Sequence, residues 1–202
     1  MPQQQSHKTS KRGQEKKRLI LQQALLCFVE HGVEGTTIEM IKEASDTSVG
    51  SLYHHFGNKD AIAAALFIEG MKDFARLVKS YLVKLDQTAA DAIKAEAGIK
   101  ALVYANVEWI SSQPDWARYV FQHRSAVKNK TNEQLLDDQG AFFSYLKSAF
   151  GPFMQQGLLK DLPLELFNAY ITGPVHFYAR HWLSGRYQEA LINYKEEFAE
   201  AA

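Results

Sequence analysis

The chain has almost no cysteine, carries no net charge, and lacks any apolar run long enough to cross a membrane. Cys27 is the only cysteine in 202 residues. That excludes an internal disulfide and a cysteine-based zinc site, and it fits a reducing compartment. The longest membrane candidate, Ala61 to Ile68, is confined between Asp60 and Glu69, far short of the ~20 residues a bilayer demands. The first twenty residues are polar and basic with no apolar stretch, unlike a secretory signal. The expected compartment is therefore the cytoplasm, with no membrane partner. A formal charge of zero argues against a polyanion-binding surface spread over the whole molecule. Catalytic signatures are missing as well. No Glu has His three residues on, and there is no His-Glu-x-x-His, no Gly-x-Ser-x-Gly, no phosphate-binding glycine loop and no dinucleotide fingerprint. The expectation is no enzyme, no metal and no cofactor; an all-helical enzyme remains only a remote alternative. Cys27 lies on an apolar helix face, where a thiol is inert.

What is present is helix after helix. Ile20, Ala24 and Phe28 repeat at helical spacing, with Gly32 as the stop. Thr36-Thr37 offers a cap for a short helix from Ile38 to Ala44, and Ser48 caps another reaching Phe56. Gly57-Asn58 breaks the chain before a long amphipathic helix from about Lys59 to Leu85. Further helices are expected at about 89–112, 114–127, 132–156, 163–184 and 186–200. Pro114 and Pro163 stand at two of their starts, Thr131-Asn132-Glu133-Gln134 reads as a capping box, and Pro174 should kink the helix that contains it. No stretch shows strand alternation bounded by hairpin turns. The fold class is all-α with about nine helices.

Two features point to function. Between Lys8 and Arg18 six basic residues face a single acid, Glu15, either a solvated terminus or a phosphate-seeking arm. Downstream, two short helices flank a three-residue turn, Ser45-Asp46-Thr47, which is helix-turn-helix geometry. Small residues at Val49, Gly50 and Ser51 let the second helix approach base edges. Thr37, Ser48 and Ser51 carry hydroxyls beside helix N-termini, whose free N–H groups suit phosphates. Leu52 and Phe56 should pack inward while Tyr53 and His54 point outward, and Lys59 adds a phosphate partner.

The runs Ile20-x-x-x-Ala24-x-x-x-Phe28-x-x-x-Gly32, Thr36-Thr37-Ile38-x-x-Ile41, Ser48-x-Gly50-x-Leu52-Tyr53-His54-His55-Phe56 and Asn58-Lys59-Asp60 closely resemble the TetR family of bacterial regulators. The likeness covers roughly Ile20 to Leu66. It implies a disordered tail over 1–10, a three-helix DNA-binding domain over 11–58 and a helical dimerisation and effector domain over 59–202. It also implies DNA contacts from Thr37, Ser48, Val49, Gly50, Ser51, Tyr53, His54 and Lys59. The turn departs from the pattern: Asp46 stands where Gly is common, and Thr47 where Val is common. Val49 replaces a frequent polar residue and is suited to a thymine methyl.

Beyond residue 70 the likeness reduces to length and helical rhythm. Aromatic residues are dense there and serve either as core or as the walls of an apolar effector site. Tyr104, Asn106, Trp109, Trp116, Tyr119, His123, Phe142, His176 and Phe177 are the candidates to line such a site. Tyr170, Tyr178, Trp182, Leu191 and Tyr194, on the last two helices, are candidates to pair with a twin or to close their own bundle. The expected function is a repressor that binds a palindromic operator in double-stranded DNA as a homodimer and is released by a small apolar or aromatic effector. The alternative is a ligand-independent DNA-binding protein, architectural or tied to cell division.

Overall fold

The computed structural model describes residues 3–129 and 133–202, with side chains described outside 3–11, 124–139 and 164–165. Ten α-helices and one 3-10 turn are found among the described residues, and no strand. They are α1 (Gln3–Gly35), α2 (Ile38–Ala44), α3 (Val49–Phe56), α4 (Lys59–Val83), α5 (Asp91–Ser112), α6 (Pro114–Asn129), α7 (Glu133–Gln155), α8 (Leu164–Ile171), α9 (Gly173–Leu183) and α10 (Lys195–Glu200), with the 3-10 turn at Leu191–Tyr194 before α10. No helix among them is long and apolar enough to cross a membrane. Residues 131 and 132 of the expected capping box lie outside the described residues, as do the side chains of Lys8 and Lys11.

The helices are built as their sequences dictate. Gly32 leaves helical geometry at φ 72°, ψ 164°, a conformation that glycine reaches without a Cβ clash. Thr37 caps α2 through Met40 N–H at 3.2 Å, and Ser48 caps α3 through Ser51 N–H at 3.2 Å. Asn58 does the same for α4, its Oδ1 accepting from Ala61 N–H at 2.8 Å.

Two stretches differ from expectation. The helix expected over 163–184 is two helices, α8 and α9, parted at Thr172. Gly173 is a poor helix former, and Pro174 has no N–H to give the Tyr170 carbonyl. Thr172 turns its own hydroxyl onto the Asn168 carbonyl at 3.0 Å. The helix expected over 186–200 is a loop, a 3-10 turn and the short α10. Gly185, at φ 76°, closes α9 with a Schellman pair: Gly185 N–H to Trp182 O and Arg186 N–H to His181 O, each 2.9 Å. Side chains then hold the loop. Tyr187 stacks on His181, ring centroids 4.9 Å apart, and the Tyr178 hydroxyl donates to the Glu189 carbonyl at 2.9 Å.

The chain divides into two compact units, one of Met1–Glu69 with Gln122–Thr131 and one of Gly70–Phe121 with Asn132–Ala202, so the division falls within α4. The first unit has Ile20, Ala24, Phe28, Ile41, Leu52, Ile62 and Leu66 at its core. In the second, α5 is the central helix, packed against α7, α8, α9, the 3-10 turn and α10. Two glycines let its helices close tightly: a Cβ at Gly70 would come 2.7 Å from the Trp116 ring, and one at Gly98 would come 2.9 Å from Phe150.

Candidate functional site

In the first unit, α1 packs on α2 and α2 on α3. Thr36, buried at the first corner, gives its hydroxyl to the carbonyls of Gly32 (2.7 Å) and Cys27 (3.1 Å). At the second corner Asp46 takes φ 47°, the left-handed region that Asp tolerates better than most residues. Thr47 is buried beside it, and its hydroxyl lies 2.8 Å from that of Ser45, which donates to the Ile41 carbonyl at 2.6 Å. A hydroxyl where valine is common is thus satisfied locally, so the turn keeps its shape.

This frame presents one face of α2 and α3 to solvent. Thr37, Ser48, Gly50, Tyr53 and His54 are exposed, Tyr53 at 51%, while Val49, Ser51 and Lys59 are half-buried. Leu52 is buried and Phe56 half-buried. Each cap leaves further N–H groups of the helix start free of intrahelical partners. The basic end of α1 reaches the same region: the Lys17 ammonium lies 5.5 Å from the Phe56 ring centroid. His55 is held below the ordinary histidine range by burial first, and then by neighbouring His54, Lys16 and Lys17. Its charged form is disfavoured there, and the positive charge of this end belongs to the lysines and arginines of α1.

Lys59 has a second engagement that its sequence does not announce. Its ammonium donates to the carbonyls of Thr36 at 2.9 Å and Glu34 at 3.3 Å. It fastens the first turn of α4 to the end of α1, with its remaining proton available to an anion.

The candidate effector residues do not all come together. In the second unit, Asn106 is 3% exposed and its Nδ2 lies 3.1 Å from His176 Nε2, with the Phe121 and His176 rings 5.1 Å apart. Trp109, one turn on from Asn106, is buried and donates to Asp73 at 3.1 Å. Phe74 meets both Trp109 and Phe142 edge-on, and Trp116 lies against Gly70. Tyr119 is fully buried, and that burial pushes its phenol up. Tyr104 is directed elsewhere: its hydroxyl donates to Glu196 at 2.6 Å, and the Lys195 ammonium lies 4.8 Å from its ring. Phe177 is 62% exposed and packs on His181. His123, half-buried and held below the usual histidine range by burial, belongs to the first unit.

The dimer candidates divide too. Leu191 is fully buried within its own chain. Tyr178 and Trp182 are half-buried, Tyr178 packed against Tyr187, Tyr194 and Phe198. Tyr170, at 64%, and Tyr194 are exposed, as is Phe177 on the same stripe, and Leu166 and Ile192 are exposed large apolar residues that the sequence reading left out of this face. An exposed 3-10 turn was not legible from an expected helix, so Ile192 could not be placed. Also missed was a polar cluster: the Tyr81 hydroxyl donates to Glu108, and Lys195 donates to Tyr81 at 3.2 Å. These residues lie far apart in sequence, and no local pattern links them.

Comparison with known proteins finds likenesses to part of the first unit and to the fold. Residues 20–66 match the family described as bacterial regulatory proteins, tetR family. The HTH-type transcriptional repressor AcnR of Corynebacterium efficiens is 43% identical over 61 residues, which is 30% of this chain and 31% of that protein. The match therefore spans about a third of the repressor's length. Among solved structures, the fatty acid degradation regulator FadR of Bacillus halodurans covers 92% of this chain and 93% of its own, with a TM-score of 0.73 at 18% identity. The transcriptional regulator FadR of Bacillus subtilis, in complex with stearoyl-CoA, covers 91% and 95%, with a TM-score of 0.70 at 16% identity. At these identities the likeness is one of fold.

Proposed function

We propose that this chain, whose residues 20–66 match the tetR family of bacterial regulators, is a cytoplasmic repressor of that family that binds a palindromic operator as a homodimer and leaves it when a small apolar effector binds. One observation carries the reading. A satisfied helix-turn-helix frame leaves the caps Thr37 and Ser48 and, on α3, Gly50, Tyr53 and His54 exposed. In the proposed complex α3 enters the major groove, Ser48 and Thr37 sit at phosphates, Val49 meets a thymine methyl and Tyr53 reaches the backbone or a base edge. A twin supplies the second reader, about 34–36 Å away. Residues 11–58 act as the reader and 59–202 as the dimer and effector domain.

Support for an effector comes from the buried aromatic and polar residues of the second unit and from a structural neighbour solved with stearoyl-CoA, a long apolar chain on a polar carrier. An effector acts only through differential affinity, so it must bind better to a dimer state that does not fit the operator. Reversing a 99:1 population requires about 5.5 kcal/mol of such preference.

The test is selection of bound genomic fragments followed by titration with fluorescent duplex. An enriched palindrome and an affinity that falls steeply with salt are expected. Tyr53→Ala should lower operator affinity at least about tenfold while leaving the helical circular dichroism unchanged. Binding without an enriched palindrome, or affinity indifferent to salt, would overturn the reading.

A further inference from the structure

Two buried polar side-chain atoms of the second unit, Asn106 Oδ1 and Ser111 Oγ, have no hydrogen-bond partner, and the first lies deeper, on a residue only 3% exposed. Asn106 sits on the central helix α5, with apolar Ala105 and Val107 buried on either side of it. Its Nδ2 faces His176 Nε2 at 3.1 Å, which sets the imidazole as acceptor there. Its Oδ1 is buried and has no hydrogen-bond partner. Buried amide oxygens are nearly always satisfied, and one that is not calls for an explanation. The surroundings are aromatic: Phe121 lies against His176 at 5.1 Å, and Trp109 follows one turn along α5.

We propose that Asn106 Oδ1 is the recognition point for the effector, and that the effector is a neutral, largely apolar molecule that donates an O–H or N–H to it. This rests on the effector reading above and narrows it. A carbonyl oxygen only accepts, so an ether or a carboxylate brings it no proton. A carboxylate also needs a buried cation. Arg180, whose guanidinium lies 5.5 Å from the Phe121 ring centroid, is exposed and keeps its charge in water. A hydroxyl or amide N–H meets the oxygen without moving a charge into the core.

The experiment compares 1-decanol with decyl methyl ether and decanoate, read by tryptophan fluorescence and by melting temperature on the full chain. Decanol is expected to bind at least about tenfold more tightly than the other two, because only it supplies the donor. Asn106→Leu should remove that preference while the helical signal is retained. Were that variant to unfold, the alcohol-to-ether ratio on the wild-type chain would still decide. Equal binding of alcohol and ether overturns the donor contact and leaves the effector reading standing. Alcohol that binds with the expected preference but leaves operator affinity unchanged overturns the effector reading and leaves the contact standing. Binding by none of the three overturns the proposed ligand chemistry.

Discussion

Single residues decide whether the reader keeps its shape. Asp46 at φ 47° occupies a well that a Cβ makes costly by roughly 1–2 kcal/mol, less for Asp. Stability should therefore rank Asp46→Gly at or above wild type, by up to about 0.5 kcal/mol, and Asp46→Val about 1–2 kcal/mol below it. Urea denaturation checks the order, and a valine variant as stable as glycine would contradict the strain. The turn was legible in the sequence because Asp is one of the few residues that enters this region. What was not legible is that Thr47 would be buried with its hydroxyl satisfied by Ser45. Lys59 shows the same limit. Its sequence position suggests a phosphate contact, whereas the structure adds two carbonyls, of Glu34 and Thr36. Lys59→Ala should cost about 1 kcal/mol of stability after allowance for solvent screening, or roughly 2–4 °C in Tm. It should also weaken all DNA binding and lower the salt slope by about one. Melting and salt titration of the same preparation separate the two effects; an unchanged Tm would mean the carbonyl contacts contribute nothing.

At the scale of elements, helix starts and the weak points at Pro174 and Gly185 were readable, and the path of the chain after Gly185 was not. Ser48, Thr37 and Pro114 mark their helices because capping chemistry is local. The break at Thr172 is local, set by Gly173, Pro174 and the Thr172 hydroxyl on the Asn168 carbonyl; the loop after Gly185 is held by tertiary contacts, Tyr187 stacking on His181 and Tyr178 reaching the Glu189 carbonyl. The cluster joining α4, α5 and α10 is of the same kind. Tyr81 gives its proton to Glu108, and Lys195 lies 5.5 Å from its ring centroid. Burial, aided by the bond to Glu108, pushes the Tyr81 phenol up to about 12 from 10.0. The folded chain thus holds this proton more tightly than the unfolded chain. The resulting stability is fully present below pH 10 and is lost as pH rises through about 12. The comparison is with Tyr81→Phe, which removes this proton alone. The gap in urea midpoint between wild type and that variant should narrow from pH 8 to pH 11.5; a constant gap would count against the linkage.

At the scale of the whole molecule, exposure sorts the residues that the sequence reading proposed for a dimer face. Helical spacing cannot tell a buried stripe from an exposed one when both are apolar. Leu191 is consumed by its own chain, whereas Leu166, Tyr170 and Phe177 on α8 and α9 remain exposed. Monomers rarely leave large apolar side chains exposed side by side without use. Tyr170→Glu with Phe177→Glu should therefore convert a micromolar dimer to monomer in sedimentation velocity and reduce operator affinity at least about tenfold. A wild-type monomer at that concentration would end the dimer reading.

The position of α5 at the centre of its unit has a consequence for how the molecule is made. Its packing partners include α8, α9, the 3-10 turn and α10, all synthesised after α6 and α7. The helices α1 to α3 bury their apolar faces against near neighbours and can fold during synthesis. The second unit cannot, because α5 must wait for contacts of high sequence separation. A nascent chain halted before Lys195 would therefore display a finished reader beside an aggregation-prone bundle, dependent on chaperones until α10 arrives.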